Sequence, residues 1–178
     1  MAKSGPPRSK PRSRQADTVV PDIAILVEAG DWPSPARLRA LTRRTLAAAL
    51  ARIETQLVPE SEISLVFTDD AHIRQLNRQY RRKDKATNVL SFPAAPGVIG
   101  GVGPLIGDLA FGAETIATEA ARGGIARDDH LTHLIVHGFL HLLGHDHKDD
   151  AEAAVMEGLE TAILADLGIA DPYGGEAA

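Results

Sequence analysis

The chain has 178 residues, enough for one domain with a single hydrophobic core, and 44% of them are hydrophobic, as in most globular proteins. It contains no cysteine, which excludes disulfide bonds, thiolate metal sites and cysteine nucleophiles. No apolar run approaches the roughly 18–20 residues of a membrane span, and no apolar segment follows the basic N-terminus as in a signal peptide. We therefore expect a cytoplasmic protein with no membrane partner.

The net charge of −5 conceals two basic clusters. Residues 1–17 are rich in Pro, Ser and basic side chains, which predicts a disordered basic arm. The segment from Arg74 to Lys85 has six basic side chains and one acidic side chain, Asp84. Local basic stripes on an acidic body suit contacts with phosphates, although a solvated surface explains either cluster equally well when it is taken alone.

The remaining chain is predicted to be one domain, residues 18–170, with a frayed tail at 171–178. Short β-rich runs predict strands at 22–28, 62–68, 87–92 and 105–112. Helical spacing of apolar residues predicts helices at 36–52, from 69 or 70 to 80, at 113–122, from 128 or 129 to 143, and at 151–167. The Gly- and Pro-rich segment 94–104 is predicted to be a flexible surface loop. The order β-α-β-α-β-β-α-α-α predicts a single α+β domain, in which a small mixed four-stranded sheet packs with about five helices.

The stretch HGFLHLLGHDH at residues 137–147 carries four of the seven histidines. Residues four apart lie on one face of a helix, so His137 and His141 should point the same way. Gly144 can adopt the left-handed conformation that ends a helix and returns His147 to the same side. Three imidazoles leave one position open for water or substrate, as in a catalytic zinc site, although nickel, copper or iron also suits imidazole.

Several neighbouring residues have alternative roles. His145 either faces the substrate or supplies a fourth nitrogen to the metal, and Asp146 either orients an imidazole or caps the turn. His133, one turn before His137, is a candidate for supporting a metal-binding histidine without binding the metal itself. Asp108 either lines the site or satisfies backbone groups at a strand end. His72 and His130 have no predicted role.

The spacing His-x3-His-x5-His also occurs in metzincin proteases, which makes a metzincin-like metalloprotease an alternative function. Those enzymes have a glutamate directly after the first histidine, where it serves as the general base. This chain has Gly138 there, so a carboxylate is missing where peptide hydrolysis needs one.

Two motifs together resemble the YbeY-type endoribonucleases, the bacterial rRNA maturation factor family. Residues 137–147 resemble that family's H-G-x-L-H-L-x-G-Y-D-H, with His145 in place of Tyr. Residues 76–93, LNRQYRRKDKATNVLSFP, resemble L-N-x-x-Y-R-x-K-D-x-P-T-D/N-V-L-S-F-P, with Ala86 in place of Pro. The pair Gly107-Asp108 and the segment from Met156 to Gly168 also correspond, so the resemblance covers about residues 20–168.

The resemblance implies one Zn²⁺ per chain, bound by His137, His141 and His147, and it makes Arg81 the essential catalytic arginine. It implies cleavage of single-stranded RNA in small-subunit rRNA maturation and ribosome quality control. The implied partners are that rRNA and the ribosome, with ribosomal proteins or an assembly GTPase as further candidates. A non-catalytic ribosome-assembly factor with a structural zinc is a further alternative.

The chemistry of the basic cluster agrees with this interpretation. An arginine fork can bind two phosphate oxygens at once, and phosphoryl transfer depends mainly on alignment and charge stabilisation. We expect Arg82, Lys83 and Lys85 to bind neighbouring phosphates of the RNA. The sequence offers no evident general base, so attack by metal-activated water and attack by the RNA 2′-hydroxyl both stay open.

Overall fold

The computed structural model describes residues 19–95 and 101–174. The predicted basic arm at 1–17, the middle of the predicted loop at 96–100 and the tail residues 175–178 lie outside the described residues. Nine helices and strands occur in the described part. In chain order they are β1 (Asp22–Val27), α1 (Pro35–Arg52), β2 (Glu62–Thr68), α2 (Asp70–Arg81), β3 (Val89–Pro93), β4 (Leu105–Gly112), α3 (Ala113–Gly123), α4 (Arg127–Leu142) and α5 (Asp150–Asp166).

The four strands form one mixed sheet in the order β1-β2-β4-β3. β1 and β2 are parallel, β2 and β4 are parallel, and β3 runs antiparallel to β4 with Ser91 opposite Leu109. β3 is therefore an edge strand, with one side available to the cleft described below. The predicted fold class, element order and number of helices are confirmed.

The ends of the helices follow local capping chemistry. Ser34 accepts a hydrogen bond from the backbone N–H of Arg37 at the start of α1, where Pro35 needs no hydrogen-bond partner of its own. Asp69 caps α2 in the same way. α4 begins one residue before the predicted Asp128, without a side-chain cap, and Asp128 instead pairs with Arg37 of α1 at 2.6 Å. Asp128 therefore contacts a neighbouring helix and does not cap its own.

The core lies mainly on one face of the sheet. Alternate residues of β2, such as Ile63, Leu65 and Phe67, point toward α1, α4 and α5 and are completely buried. A smaller apolar cluster on the opposite face joins Ile73 of α2 to Leu90 of β3. None of the described helices is long and apolar enough to cross a bilayer.

Candidate metal centre and RNA-binding cleft

Three histidines meet where α4 ends. Buried apolar residues on one side of α4, including Val136, Phe139 and Leu140, pack into the core and fix the rotation of the helix. This leaves His137 and His141 half-buried on the other side. Gly144, with φ 92°, reverses the chain after the helix, and His147 returns beside the first two. One nitrogen from each of the three rings lies within 4.8 Å of the others. The structure thus brings together the three residues that the spacing predicts.

The hydrogen bonds of two of these rings show which nitrogen faces the centre. Nδ1 of His137 donates to Oε1 of Glu160 at 2.7 Å, and Nδ1 of His141 donates to the carbonyl oxygen of His145 at 3.0 Å. Neither acceptor carries a proton to give back, so in a neutral ring each Nε2 presents a lone pair. Burial, followed by the neighbouring His137 and His147, lowers the pKa of His141, which favours that neutral form.

The two Nε2 atoms of His137 and His141 lie 3.2 Å apart and point at each other. Two lone pairs at this distance repel unless a proton or a metal cation lies between them. Two nitrogens that each bind a tetrahedral zinc at about 2.0–2.1 Å would be about 3.3 Å apart. The residues present therefore fit a divalent metal with tetrahedral preference, and the third ligand atom would come from His147. In the described part of the chain, no other group of histidines and carboxylates meets this criterion.

Glu160 of α5 is a site residue that the sequence interpretation missed. Its side chain is buried, and its two carboxylate oxygens accept hydrogen bonds from His137 and from His133, the latter at 2.8 Å. Burial raises the pKa of Glu160, but hydrogen bonds from His133, His137 and Tyr173 outweigh it and bring the pKa to about 2. Glu160 lies in the segment from Met156 to Gly168 that resembles the family, but a single carboxylate on a helix does not indicate its hydrogen-bond partner.

The residues of the turn after α4 have structural contacts. The ring of His145 is not part of the three-histidine group. His145 contributes its backbone carbonyl oxygen, which accepts a hydrogen bond from Nδ1 of His141. Asp146 accepts a hydrogen bond from the backbone N–H of His147 at 2.8 Å and pairs with Lys148 at 2.7 Å. Of the two roles considered for Asp146, the geometry matches capping the turn.

A cleft of about 800 Å³ connects the histidines to the basic segment after α2. We call its first side the histidine wall, formed by His137, His141, His147 and the turn at 144–146. A second group of lining residues, the basic wall, consists of Arg81, Lys83, Lys85 and the outer edge of β3. Arg81 is exposed, and its Nη2 donates to the carbonyl oxygen of Ser91 on that edge at 2.7 Å. A guanidinium has further N–H donors, so this single bond leaves Arg81 able to bind a phosphate.

Hydrogen bonds with Asn77 fix the backbone of the basic wall, a role that the sequence did not predict. Asn77 is buried, and its side-chain Nδ2 donates to the carbonyl oxygen of Lys85 at 2.9 Å. The backbone carbonyl oxygen of Asn77 accepts a hydrogen bond from the backbone N–H of Lys83 at 3.2 Å. Lys83 and Lys85 are exposed and line the cleft. Arg82, the third predicted RNA-binding residue, ends α2 in the left-handed conformation and does not line the cleft.

Other residues considered from the sequence lie away from the centre. Position 138 faces the sheet, because a Cβ on Gly138 would lie 2.8 Å from a methyl group of Leu109. Asp108 is exposed and lines a separate groove on the α2 face of the sheet. His72 bonds Asp69, and His130 bonds Glu119.

Comparisons with known proteins agree with this architecture. The family model described as Endoribonuclease YbeY matches residues 28–168. A protein named Endoribonuclease YbeY from Rhizobium meliloti (strain 1021) is 56% identical over 159 residues, which cover 86% of this chain and 95% of that protein. The protein of the same name from Agrobacterium fabrum (strain C58) is 53% identical over 161 residues, 87% of this chain and 96% of that protein.

The solution structure of TM1509 from Thermotoga maritima shares the fold. Its TM-score is 0.51 at 20% identity, and the match covers 82% of this chain and 91% of that one. Identity above one half over nearly the full length of the relatives, with the family match across the histidine and arginine motifs, leads to one assignment. The chain belongs to the YbeY endoribonuclease family.

Proposed function

We propose that this protein is a zinc-dependent endoribonuclease that cleaves single-stranded RNA. The observation that carries the proposal is the shared cleft, which is lined both by Arg81 with two lysines and by three histidines suited to a metal. The names of the relatives, Endoribonuclease YbeY, support the same activity. We further propose the small-subunit rRNA and the ribosome as its targets, in rRNA maturation and quality control, and therefore a location in the cytoplasm.

Each wall has its own part in the reaction. A divalent metal bound by His137, His141 and His147 supplies positive charge and lowers the pKa of water. Arg81 lies across the cleft, where its guanidinium can bind two oxygens of the scissile phosphate and stabilise the charge that develops on them. Its bond to Ser91 anchors it to the sheet, so less side-chain freedom is lost when the phosphate binds.

The lysines of the basic wall extend this binding surface along the RNA backbone. Lys83 and Lys85 are exposed point charges on one short segment, so they suit contacts with phosphates on either side of the cleavage site. No base-reading arrangement is needed for such contacts, which fits a nuclease that selects accessible single strands.

The two alternative functions are less well supported by the site. A metalloprotease would need a carboxylate at position 138, where the side chain would meet Leu109 of the sheet and not the metal. A structural zinc in an assembly factor would prefer four closed protein ligands, whereas three described side chains converge here. An open position beside a basic wall suits catalysis on a phosphodiester.

The test uses the purified protein with its metal content measured, incubated with a single-stranded RNA. We expect the parent to contain about one zinc per chain and to cut the RNA. His141→Ala should lose both metal and cleavage. Arg81→Ala should keep the metal and lose cleavage by about 100-fold or more, as expected for loss of a group that stabilises transition-state charge.

His72→Ala is the matched control, because His72 is an exposed histidine outside the cleft and should leave both properties unchanged. A casein-type peptide substrate tests the protease alternative in the same samples. If His141→Ala and Arg81→Ala cut RNA as well as the parent does, the proposed activity is wrong.

A further inference from the structure

The turn after α5 contacts Glu160, and Glu160 in turn contacts His137 of the histidine wall. Glu160 is completely buried. A buried carboxylate is costly unless its lone pairs are satisfied, and here three side chains supply hydrogen bonds to it: His133, His137 and Tyr173. We call these four residues the Glu160 cluster.

Tyr173 comes from outside the elements that form the metal centre. Its hydroxyl donates to Oε2 of Glu160, the oxygen that also accepts from His133. The turn that carries it is ordered by Asp171, which accepts from the backbone N–H of Tyr173 at 2.9 Å and from the hydroxyl of Thr161 at 3.1 Å. The turn is thus attached to α5 at two places, and the tyrosine side chain reaches from it to the carboxylate.

The Glu160 cluster controls the orientation of one metal ligand. Oε1 of Glu160 can accept only if Nδ1 of His137 carries the proton, and this leaves the lone pair of Nε2 directed at His141. His133 and Tyr173 hold the other oxygen, so the carboxylate cannot rotate away from His137. Carboxylates that accept from metal-binding histidines in this way orient the ring and raise its basicity.

We propose that Glu160 and Tyr173 are positioning residues for the metal site, so that the turn at 171–174 sets metal affinity although it contacts no proposed ligand. This inference rests on the proposed metal site. His141 receives a different support, the carbonyl of His145, which is part of the backbone and is unaffected by side-chain substitution. The affinity of the site therefore depends on the Glu160 cluster at His137 and on main-chain geometry at His141.

The experiment measures Zn²⁺ affinity by competition with a fluorescent chelator, using the full chain. Glu160→Gln keeps the size of the side chain but removes the charge, and we expect affinity to fall by about 10–100-fold. Tyr173→Phe removes one hydroxyl and should weaken binding by a smaller factor of about 3–10, since one hydrogen bond to a charged group is lost. Glu157→Gln, an exposed glutamate one turn earlier on α5, is the matched control and should bind as the parent does.

Two further readouts separate positioning from general damage. Thermal unfolding of the metal-free variants tests whether they fold, and the visible spectrum of the Co²⁺-loaded proteins reports ligand geometry directly. A changed Co²⁺ spectrum in folded Glu160→Gln, with an unchanged spectrum in Glu157→Gln, supports the proposal. If the parent binds Zn²⁺ and both Glu160→Gln and Tyr173→Phe match it within twofold, the positioning role is wrong while the metal site stands. If the parent binds no Zn²⁺, both proposals fail.

Discussion

The two walls of the cleft differ in how much of their geometry is set before any ligand arrives. On the histidine wall, two rings have Nδ1 hydrogen-bonded and Nε2 directed to a common point, and α4 beneath them is packed into the core. On the basic wall, Arg81 has one hydrogen bond to the backbone of β3, and Lys83 and Lys85 project into solvent. A metal site needs donors placed within a few tenths of an ångström, whereas an RNA backbone needs charge that can follow a flexible chain. The predictions below test this difference, beginning with the largest expected effect.

The packing beneath the histidine wall should tolerate no added volume. Gly138→Ala would place a Cβ 2.8 Å from a methyl group of Leu109, which is completely buried. Such overpacking costs about 1–3 kcal/mol, partly offset by about 1 kcal/mol because alanine favours the helix. Gly158→Ala on α5, where a Cβ meets nothing within 4 Å, measures the gain from helix propensity alone. The difference between the two free energies of unfolding, from denaturant titrations, should be about 1–3 kcal/mol. Equal values would show that the α4–sheet contact is loose.

The turn of the histidine wall depends on a backbone conformation. Gly144 has φ 92°, and Gly144→Ala should destabilise the protein by about 1–2 kcal/mol through strain, since its Cβ would meet nothing within 4 Å. Gly124→Ala is the control, because Gly124 also has positive φ, 62°, and open space, but it ends α3. Chemical denaturation should show a similar loss of stability in both, and only Gly144→Ala should lower Zn²⁺ affinity by moving His147. Retention of full affinity in Gly144→Ala would contradict the importance of the turn.

The basic wall should respond to salt, in contrast to the histidine wall. Each phosphate contact with single-stranded nucleic acid contributes about 0.7 to the slope of log affinity against log salt concentration. The double substitution Lys83→Gln and Lys85→Gln should therefore reduce the slope by about 1.4, measured by fluorescence anisotropy with an uncleavable 2′-O-methyl oligonucleotide. Zn²⁺ affinity should stay the same. Arg44→Gln, an exposed residue of α1 outside the cleft lining, is the control, and an equal change in its slope would argue against a localised RNA surface.

The smallest effect is expected at His145, where the family pattern has tyrosine. The contact of this residue with His141 is made by its carbonyl oxygen, and its ring lies outside the three-histidine group. His145→Tyr should therefore change Zn²⁺ affinity by less than about twofold, because the backbone support of His141 stays in place. The same chelator competition checks this. A clear loss of affinity would instead identify the His145 ring as a fourth ligand.

Most of the secondary structure could be predicted because it depends on local patterns. β2 and β4 have the predicted bounds, and other ends moved by a residue or two. α4 begins at Arg127, one residue before the predicted start, and Asp128 pairs with Arg37 of α1. The strand predicted from residue 87 begins at Val89, with Asn88 outside the strand but bonded through its carbonyl to Gly112.

The residues of the candidate site likewise fall into those that a local pattern indicates and those that it does not. His137, His141 and His147 were recognisable because one helix and one glycine turn are enough to bring them together. Their role as metal ligands and the role of Arg81 stay predictions until the tests above are made. Glu160 and Asn77 could not be recognised as site residues, because the partners of Glu160 lie 13–27 residues away and the partner of the Asn77 side chain lies beyond the end of its helix.

Local sequence patterns predict the α+β class, the three histidines on one side of a helix end and the basic segment after α2. These depend on spacing of 3.6 residues per turn, on glycine conformation and on local charge, all of which are short-range properties. The packing of whole elements brings the basic segment and the histidines to one cleft, anchors Arg81 to the edge of β3, and places Tyr173 in contact with Glu160. Such contacts arise from how whole elements pack, so no local pattern encodes them.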